Sequence, residues 1–212
     1  MRFFKTGKGE YGHGDNFHGI SVPDQRTVAK NYYKEADANT IAHLLDSVYH
    51  EERLTGIFIL VHKFNQDQKK GSGKEWVDLY IKKIDRVNNW DLVDSSAYQI
   101  LGKWLEDKDR NILIEMAQHA SLWRNRIAIV ATKHFINNLD FIELLLLAEQ
   151  FLKHEHDLIH KATGWMLREA WQKDPQPIEL FLKKYSKKMP RTMLRYTIEK
   201  MNPSEREKYL KK

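Results

Sequence analysis

The 212-residue chain is predicted to be all-α, an array of paired helices stacked as a solenoid, and three observations carry that prediction. Apolar residues recur at three- and four-residue spacing along most of the chain. Glycine and proline are confined to a few short stretches between those segments. No segment sustains the apolar–polar alternation that a half-buried strand requires.

Residues 1–22 are expected to form an irregular, flexible N-terminal segment, because Gly7, Gly9, Gly12, Gly14 and Gly19 crowd it. Those glycines resemble a phosphate-binding loop only in part, since no strand precedes them and no Lys-Ser/Thr follows. Ile41, Leu44, Leu45 and Val48 then mark a helix over Thr40 to Val48. Leu54, Ile57, Phe58, Val61 and Phe64 mark its partner over Glu51 to Phe64, although Gly56 to Val61 read alone would also suit a strand. Gly71-Ser72-Gly73 separates a second pair, Glu75 to Ile84 and Trp90 to Leu105. Asp109 to Gln118 and Trp123 to Phe135 form a third, the latter on Ile127, Val130, Ala131 and His134. Asp140 to Phe151 and Leu158 to Trp171 form a fourth, after which Pro175, Pro177, Pro190 and Pro203 punctuate the chain. Residues 183–212 are expected to be a basic helical segment, and all 212 residues to form a single domain.

Arg53, Arg126 and Lys161 occupy comparable places near the starts of second helices, with 73 residues between the first two and 35 between the last two. That period falls in or just below the range of HEAT-like helix pairs. In such an array each pair buries its apolar stripe against its neighbours while one set of helices lines a concave surface. Trp90, Trp123 and Trp165 all fall on second helices, so they are expected to converge there despite their separation in sequence.

Composition narrows the chemistry. The chain has no cysteine, which excludes disulfides, thiolate metal sites and a cysteine nucleophile and is compatible with a reducing interior. The start lacks a secretory apolar core, and even Leu144 to Leu147 is bounded by Glu143 and Glu149, so a soluble cytoplasmic protein is expected. Net charge is +6, and from Lys183 onward eleven Lys or Arg stand against three Glu, so the rest is slightly acidic. A nucleic acid, an acidic protein, anionic lipid or plain solvation would each account for that end.

The most informative residues lie in three tryptophan segments: Trp90-Asp91-Leu92-Val93-Asp94, Trp123-Arg124-Asn125-Arg126 and Trp165-Met166-Leu167-Arg168. On a helix, residues three or four apart share a face, so each indole sits beside a carboxylate or a guanidinium. A flat indole attracts a positively charged ring, a carboxylate stabilises growing positive charge, and arginines grip phosphates bidentately. Together these suit a cationic ligand on a polyanion, and damaged DNA fits that description. Ordinary structural roles fit the same residues: Asn88, Asn89 and Asp91 can cap a helix there, and an arginine can stack on its own helix's indole. His154, His156 and His160, with Glu155 and Asp157, lack a recognised metal spacing, so no functional metal is expected. Ser95, Ser96 and Ser121 sit in no nucleophile elbow.

These segments together resemble the AlkD-like DNA alkylation repair proteins, which are HEAT-like-repeat DNA glycosylases. The likeness runs from about Gly19-Ile20-Ser21-Val22-Pro23 to about Pro175, and includes Ile127-Ala128 and Lys161-Ala162-Thr163-Gly164-Trp165-Met166-Leu167-Arg168-Glu169. The resemblance implies a right-handed superhelical solenoid with a concave DNA-binding surface, acting without cofactor or metal on positively charged N3- or N7-alkylated purines in duplex DNA. By motif it implies Asp94 as the catalytic carboxylate and Trp90 and Trp165 as aromatic contacts. Arg126 would bind backbone phosphate, Arg168 would support the site or the DNA, and Trp123 would belong to the same surface. A monofunctional glycosylase, monomeric and nucleoid-associated when bound, is the corresponding expectation. The sequence departs from the family in having only a glycine-rich stretch where members commonly carry an additional N-terminal helix. Ser21 also stands where some active members carry a longer polar side chain. The alternative is a non-catalytic HEAT-like scaffold for distorted or branched DNA or a protein partner.

Overall fold

The computed structural model describes residues 4–210, and these are helical with no named strand; an isolated bridge pairs Asn16 with Tyr49. They fall into two compact units that divide after Leu101. None of the described helices is long and apolar enough to cross a membrane.

In the first unit α1 (Val22–Tyr32), α2 (Ala38–Asp46) and α4 (Lys74–Lys82) pack around α3 (His50–Gln68). The stretch that read ambiguously, Gly56 to Val61, is the middle of α3 and is buried throughout. A helix apolar on every side belongs in a core, and its lack of a clean stripe is what blurred the sequence signal. Gly56 sets the α2–α3 distance, because a Cβ there would meet Leu44 Cβ at 3.0 Å. Arg86, just after α4, donates to the carbonyls of Leu45, Asp46 and Ser47 at 3.1, 2.9 and 2.7 Å. It thereby helps to satisfy the carbonyls at the end of α2 that have no partner within the helix. α5 (Trp90–Asp94) packs on α3, and Asn89 caps it as the sequence indicated, its Oδ1 accepting from Trp90 N at 2.8 Å.

Two helices are shorter than expected. Trp90 to Leu105 is not continuous: α5 stops at Asp94, and a π-helical turn, Tyr98–Gly102, follows. Ser96 Oγ donates to the Leu92 carbonyl at 2.7 Å and Gln99 Nε2 to the Ser95 carbonyl at 2.6 Å. Side chains thus take up carbonyls that a regular helix would use. Trp123 to Phe135 likewise divides at Thr132, whose hydroxyl donates to the Ile129 carbonyl at 2.6 Å.

The N-terminal segment is irregular, as expected, but it is tied down rather than flexible. His50 N donates to Asn16 O at 2.8 Å, while His18 N and Gly19 N donate to the Glu51 carboxylate at 3.0 and 2.8 Å. Burial raises the Glu51 pKa, but those two amides outweigh it and hold the carboxyl below its ordinary value.

The second unit is built on α10 (Asp157–Lys173). α6 (Asn111–Gln118) pairs with α7 (Leu122–Ala131), and α7, α8 (Lys133–Asn137), α9 (Ile142–Gln150), α11 (Pro175–Tyr185) and α12 (Arg191–Thr197) all touch α10. α13 (Pro203–Leu210) follows. α10 and α12 approach closely at Gly164, where a Cβ would meet the Met193 carbonyl oxygen and Tyr196 Cβ, both at 2.5 Å.

Candidate functional site

The six residues singled out by sequence divide between the units: Trp90 and Asp94 lie in the first, Trp123, Arg126, Trp165 and Arg168 in the second.

In the first unit Trp90 opens α5 and Asp94 closes it one turn later, both half-buried. Phe4 stacks on the Trp90 ring with centroids 5.5 Å apart, and the same Phe4 lies 4.8 Å from His50 and 5.2 Å from Phe17. Beneath these rings runs a buried ionic chain. His50, 2% exposed, places Nε2 2.7 Å from Asp91 Oδ2 and Nδ1 3.3 Å from Asp15 Oδ2. Asp15 also accepts from Arg53 NH2 at 2.5 Å and from Asn89 Nδ2 at 3.2 Å, and Arg53 NH1 donates to Ser47 O at 3.0 Å. Burial alone would lower the His50 pKa, but its bonds to Asp15 and Asp91 outweigh that and raise it to about 9. His50 is therefore an imidazolium at neutral pH. Burial likewise works against Asp15 ionisation, yet His50, Arg53 and Asn89 hold its pKa below the ordinary carboxylate value.

In the second unit Trp165 and Arg168 stand one turn apart on α10, both half-buried. Lys133 Nζ lies 4.8 Å from the Trp165 ring centroid and 3.6 Å from Glu169 Oε2, and the indole N–H donates to Glu169 Oε1 at 3.2 Å. The ring already receives a cation, which is the interaction its proposed ligand requires. Arg168 pairs with Glu199 and lies 3.7 Å from Glu169. Arg126 is more deeply placed than a surface phosphate ligand: it is 5% exposed, and NH1 donates to the Leu158 carbonyl at 2.7 Å. It thus fastens α7 to the first turn of α10. Trp123 is half-buried at the start of α7.

The histidine group serves the same junction. Leu158 N donates to His156 Nδ1 at 3.1 Å, which caps α10, and His156 N donates to His154 Nδ1 at 3.0 Å. His154 Nε2 then donates to Asn125 Oδ1 at 3.1 Å, and His160 Nε2 donates to the His154 carbonyl. Burial lowers the pKa of both His154 and His156, so both are neutral at pH 7. Among the described residues no group of three or more His, Asp or Glu is arranged to hold a metal ion.

Sequence reasoning missed Asp15, His50, Lys133 and Glu199. The signal for Asp15 was hidden by the glycines around it, and His50 stands 35 residues away in sequence from one partner and 41 from the other. An apolar groove of about 470 Å³ lined by α9 and α11 residues, including Ile142, Leu146 and Leu180, contains none of the six residues.

A helical scaffold carrying Trp90 and Asp94 on α5 and Trp165 and Arg168 on α10 is the architecture of an all-α protein. The chain belongs to the DNA alkylation repair enzyme family, whose model matches residues 1–201. It is similar to the solved structure of a predicted DNA alkylation repair enzyme from Enterococcus faecalis. That likeness has a TM-score of 0.75 and 18% identity, covers 91% of this chain and 92% of the other, and is a likeness of fold. No curated protein matches the chain. Family membership supports a role in the repair of alkylated DNA.

Proposed function

We propose that the protein is a monofunctional DNA glycosylase that removes positively charged N3- or N7-alkylated purines from duplex DNA. The observation that carries this reading is a half-buried Asp94 placed one helical turn from Trp90 on α5, with the Trp90 indole backed by the Phe4 ring.

An alkylated purine is already a cationic leaving group, so cleavage of its glycosidic bond needs no acid to protonate the base. As the bond stretches, the positive charge passes to the sugar. Asp94 stabilises that oxocarbenium-like charge and orients the attacking water, while Trp90 holds the cationic nucleotide by cation–π contact; Trp165, in the second unit, offers a further aromatic face to the DNA. The water's oxygen bonds to the sugar carbon, its proton is released, and the neutral alkylated base departs. No amine nucleophile takes part, so strand cleavage does not accompany base loss.

In this reading Arg168 exchanges Glu199 for backbone phosphate, Arg126 reaches phosphate in addition to its bond to Leu158, and Trp123 lines the same DNA-binding surface. The protein acts as a monomer on the nucleoid, without metal or cofactor. Incubation with duplex containing N7-methylguanine or N3-methyladenine, followed by quantification of free base, tests it. Release well above the spontaneous rate is expected. No excess release at high protein concentration overturns the reading, and tight binding to junction DNA in that case identifies a non-catalytic scaffold.

A further inference from the structure

We propose that His50 is a positioning residue for the Trp90–Asp94 turn, its imidazolium fastening the N-terminal segment, through Asp15, to α5, through Asp91. The clamp itself stands on geometry alone; its bearing on catalysis rests on the glycosylase reading.

His50 is buried between two carboxylates that reach it from different parts of the chain, Asp15 from the N-terminal segment and Asp91 from α5. A neutral imidazole has one N–H and one lone pair, so it can donate to only one of them and turns a lone pair toward the other. The imidazolium donates to both. Its charge also makes the burial of Asp15 and Asp91 tolerable, with Arg53 as the second cation. The charged groups facing this site are therefore Asp15, Asp91 and, from α3 itself, Glu51 and Arg53.

The consequence reaches the proposed site by two routes. Asp91 is the residue after Trp90, and its Oδ1 accepts from Leu92 N at 2.9 Å, so holding its other oxygen fixes the first turn of α5. Phe17 stacks on the His50 ring at 5.1 Å between centroids and Phe4 lies tilted against it at 4.8 Å, and Phe4 continues onto Trp90. Loss of the proton leaves His50 donating to only one of Asp15 and Asp91, with a lone pair turned toward the other, and so loosens one side of the clamp. The N-terminal segment thus packs behind Trp90 through Phe4, and His50 ties it to α5 beside the bonds that Arg53 and Asn89 make to Asp15.

The test uses the full-length protein. His50 is titrated by NMR through its ring nitrogens, and Trp90 through the 19F signal of 5-fluorotryptophan-labelled protein, assigned by its disappearance in Trp90→Phe. The expected result is one shared midpoint near pH 9 for both signals, with the Trp90 step absent in His50→Gln. If that variant fails to fold, Asp15→Asn, which keeps a hydrogen-bonding side chain but removes a charge, is expected to lower both midpoints together. An ordinary imidazole titration for His50, or a Trp90 signal that stays flat through it, overturns the clamp. In base-release assays His50→Gln is expected to lower kcat about tenfold, with duplex Kd changed less than about twofold. A loss confined to Kd overturns the positioning role. If the wild type releases no base, the glycosylase reading fails while the two titration curves still decide the clamp.

Discussion

The two units place tryptophan beside charge in opposite ways. Trp90 leans on other rings, and the charges that order it lie beneath them, buried and bonded on both sides of His50. Trp165 meets its charges directly: Lys133 over its face, Glu169 at its N–H and Arg168 one turn on, paired with the half-exposed Glu199. A buried network is costly to break once formed, whereas half-exposed ion pairs are weak, screened by salt and readily exchanged. Under the proposed function the first arrangement would hold a reacting geometry still, and the second would let Arg168 trade Glu199 for phosphate.

The comparison breaks most visibly at Asp94. If the first unit carries the chemistry, Asp94→Asn should lower base release by roughly 10²- to 10³-fold while leaving duplex affinity nearly intact. Equal losses of both would move Asp94 from chemistry to binding.

The buried network gives a pH signature next in size. The His50 pKa is raised from an ordinary 6.5 to about 9, so the imidazolium's stabilisation is complete below pH 6.5 and is lost as pH rises through about 9. At 1.36 kcal/mol per unit this amounts to about 3 kcal/mol at most. Urea unfolding followed from pH 6 to 10 should show that decline in the wild type and a flatter curve in His50→Gln.

Arg126 separates the two kinds of charge within the second unit. Arg126→Ala removes a buried charge-assisted bond between α7 and α10 and should cost about 1.5–3 kcal/mol in urea unfolding, in addition to any loss of DNA affinity. Weakened DNA binding with unchanged stability would make it a surface phosphate ligand after all.

The smallest effect belongs to Glu199. Its pair with Arg168 is worth about 0.2–1 kcal/mol, so Glu199→Gln should leave stability nearly unchanged and tighten duplex binding by up to roughly fivefold at low salt. The gain should fade as salt rises; an affinity indifferent to Glu199 would show that Arg168 does not reach the DNA.

Much of this was legible in the sequence because the relevant signals are local. The helical class follows from spacing, the α5 cap from Asn89 and Asp91, and the Trp90–Asp94 and Trp165–Arg168 pairings from one helical turn. What escaped depends on contacts between distant residues. The recurring Arg53 and Arg126 marked the helix-pair period in the sequence, but not that both are buried and bonded to carbonyls near helix ends. Glycines suggested flexibility in the N-terminal segment, but Asp15 contributes three contacts to partners 35 to 74 residues away. The breaks at Ser96 and Thr132 come from single hydroxyls competing with the backbone, too small a signal to interrupt a strong apolar period.

Gly164 has a consequence for how this chain can vary. With α12 backbone standing where its side chain would be, even a methyl group there must displace that helix, and Glu199 follows closely after it in the chain. Position 164 therefore works as a spacer for the 168–199 pair. A lineage that acquires alanine at 164 must also readjust its acid at 199 or release its arginine at 168. These three positions should be inherited as a set, although no two of them are neighbours in the sequence.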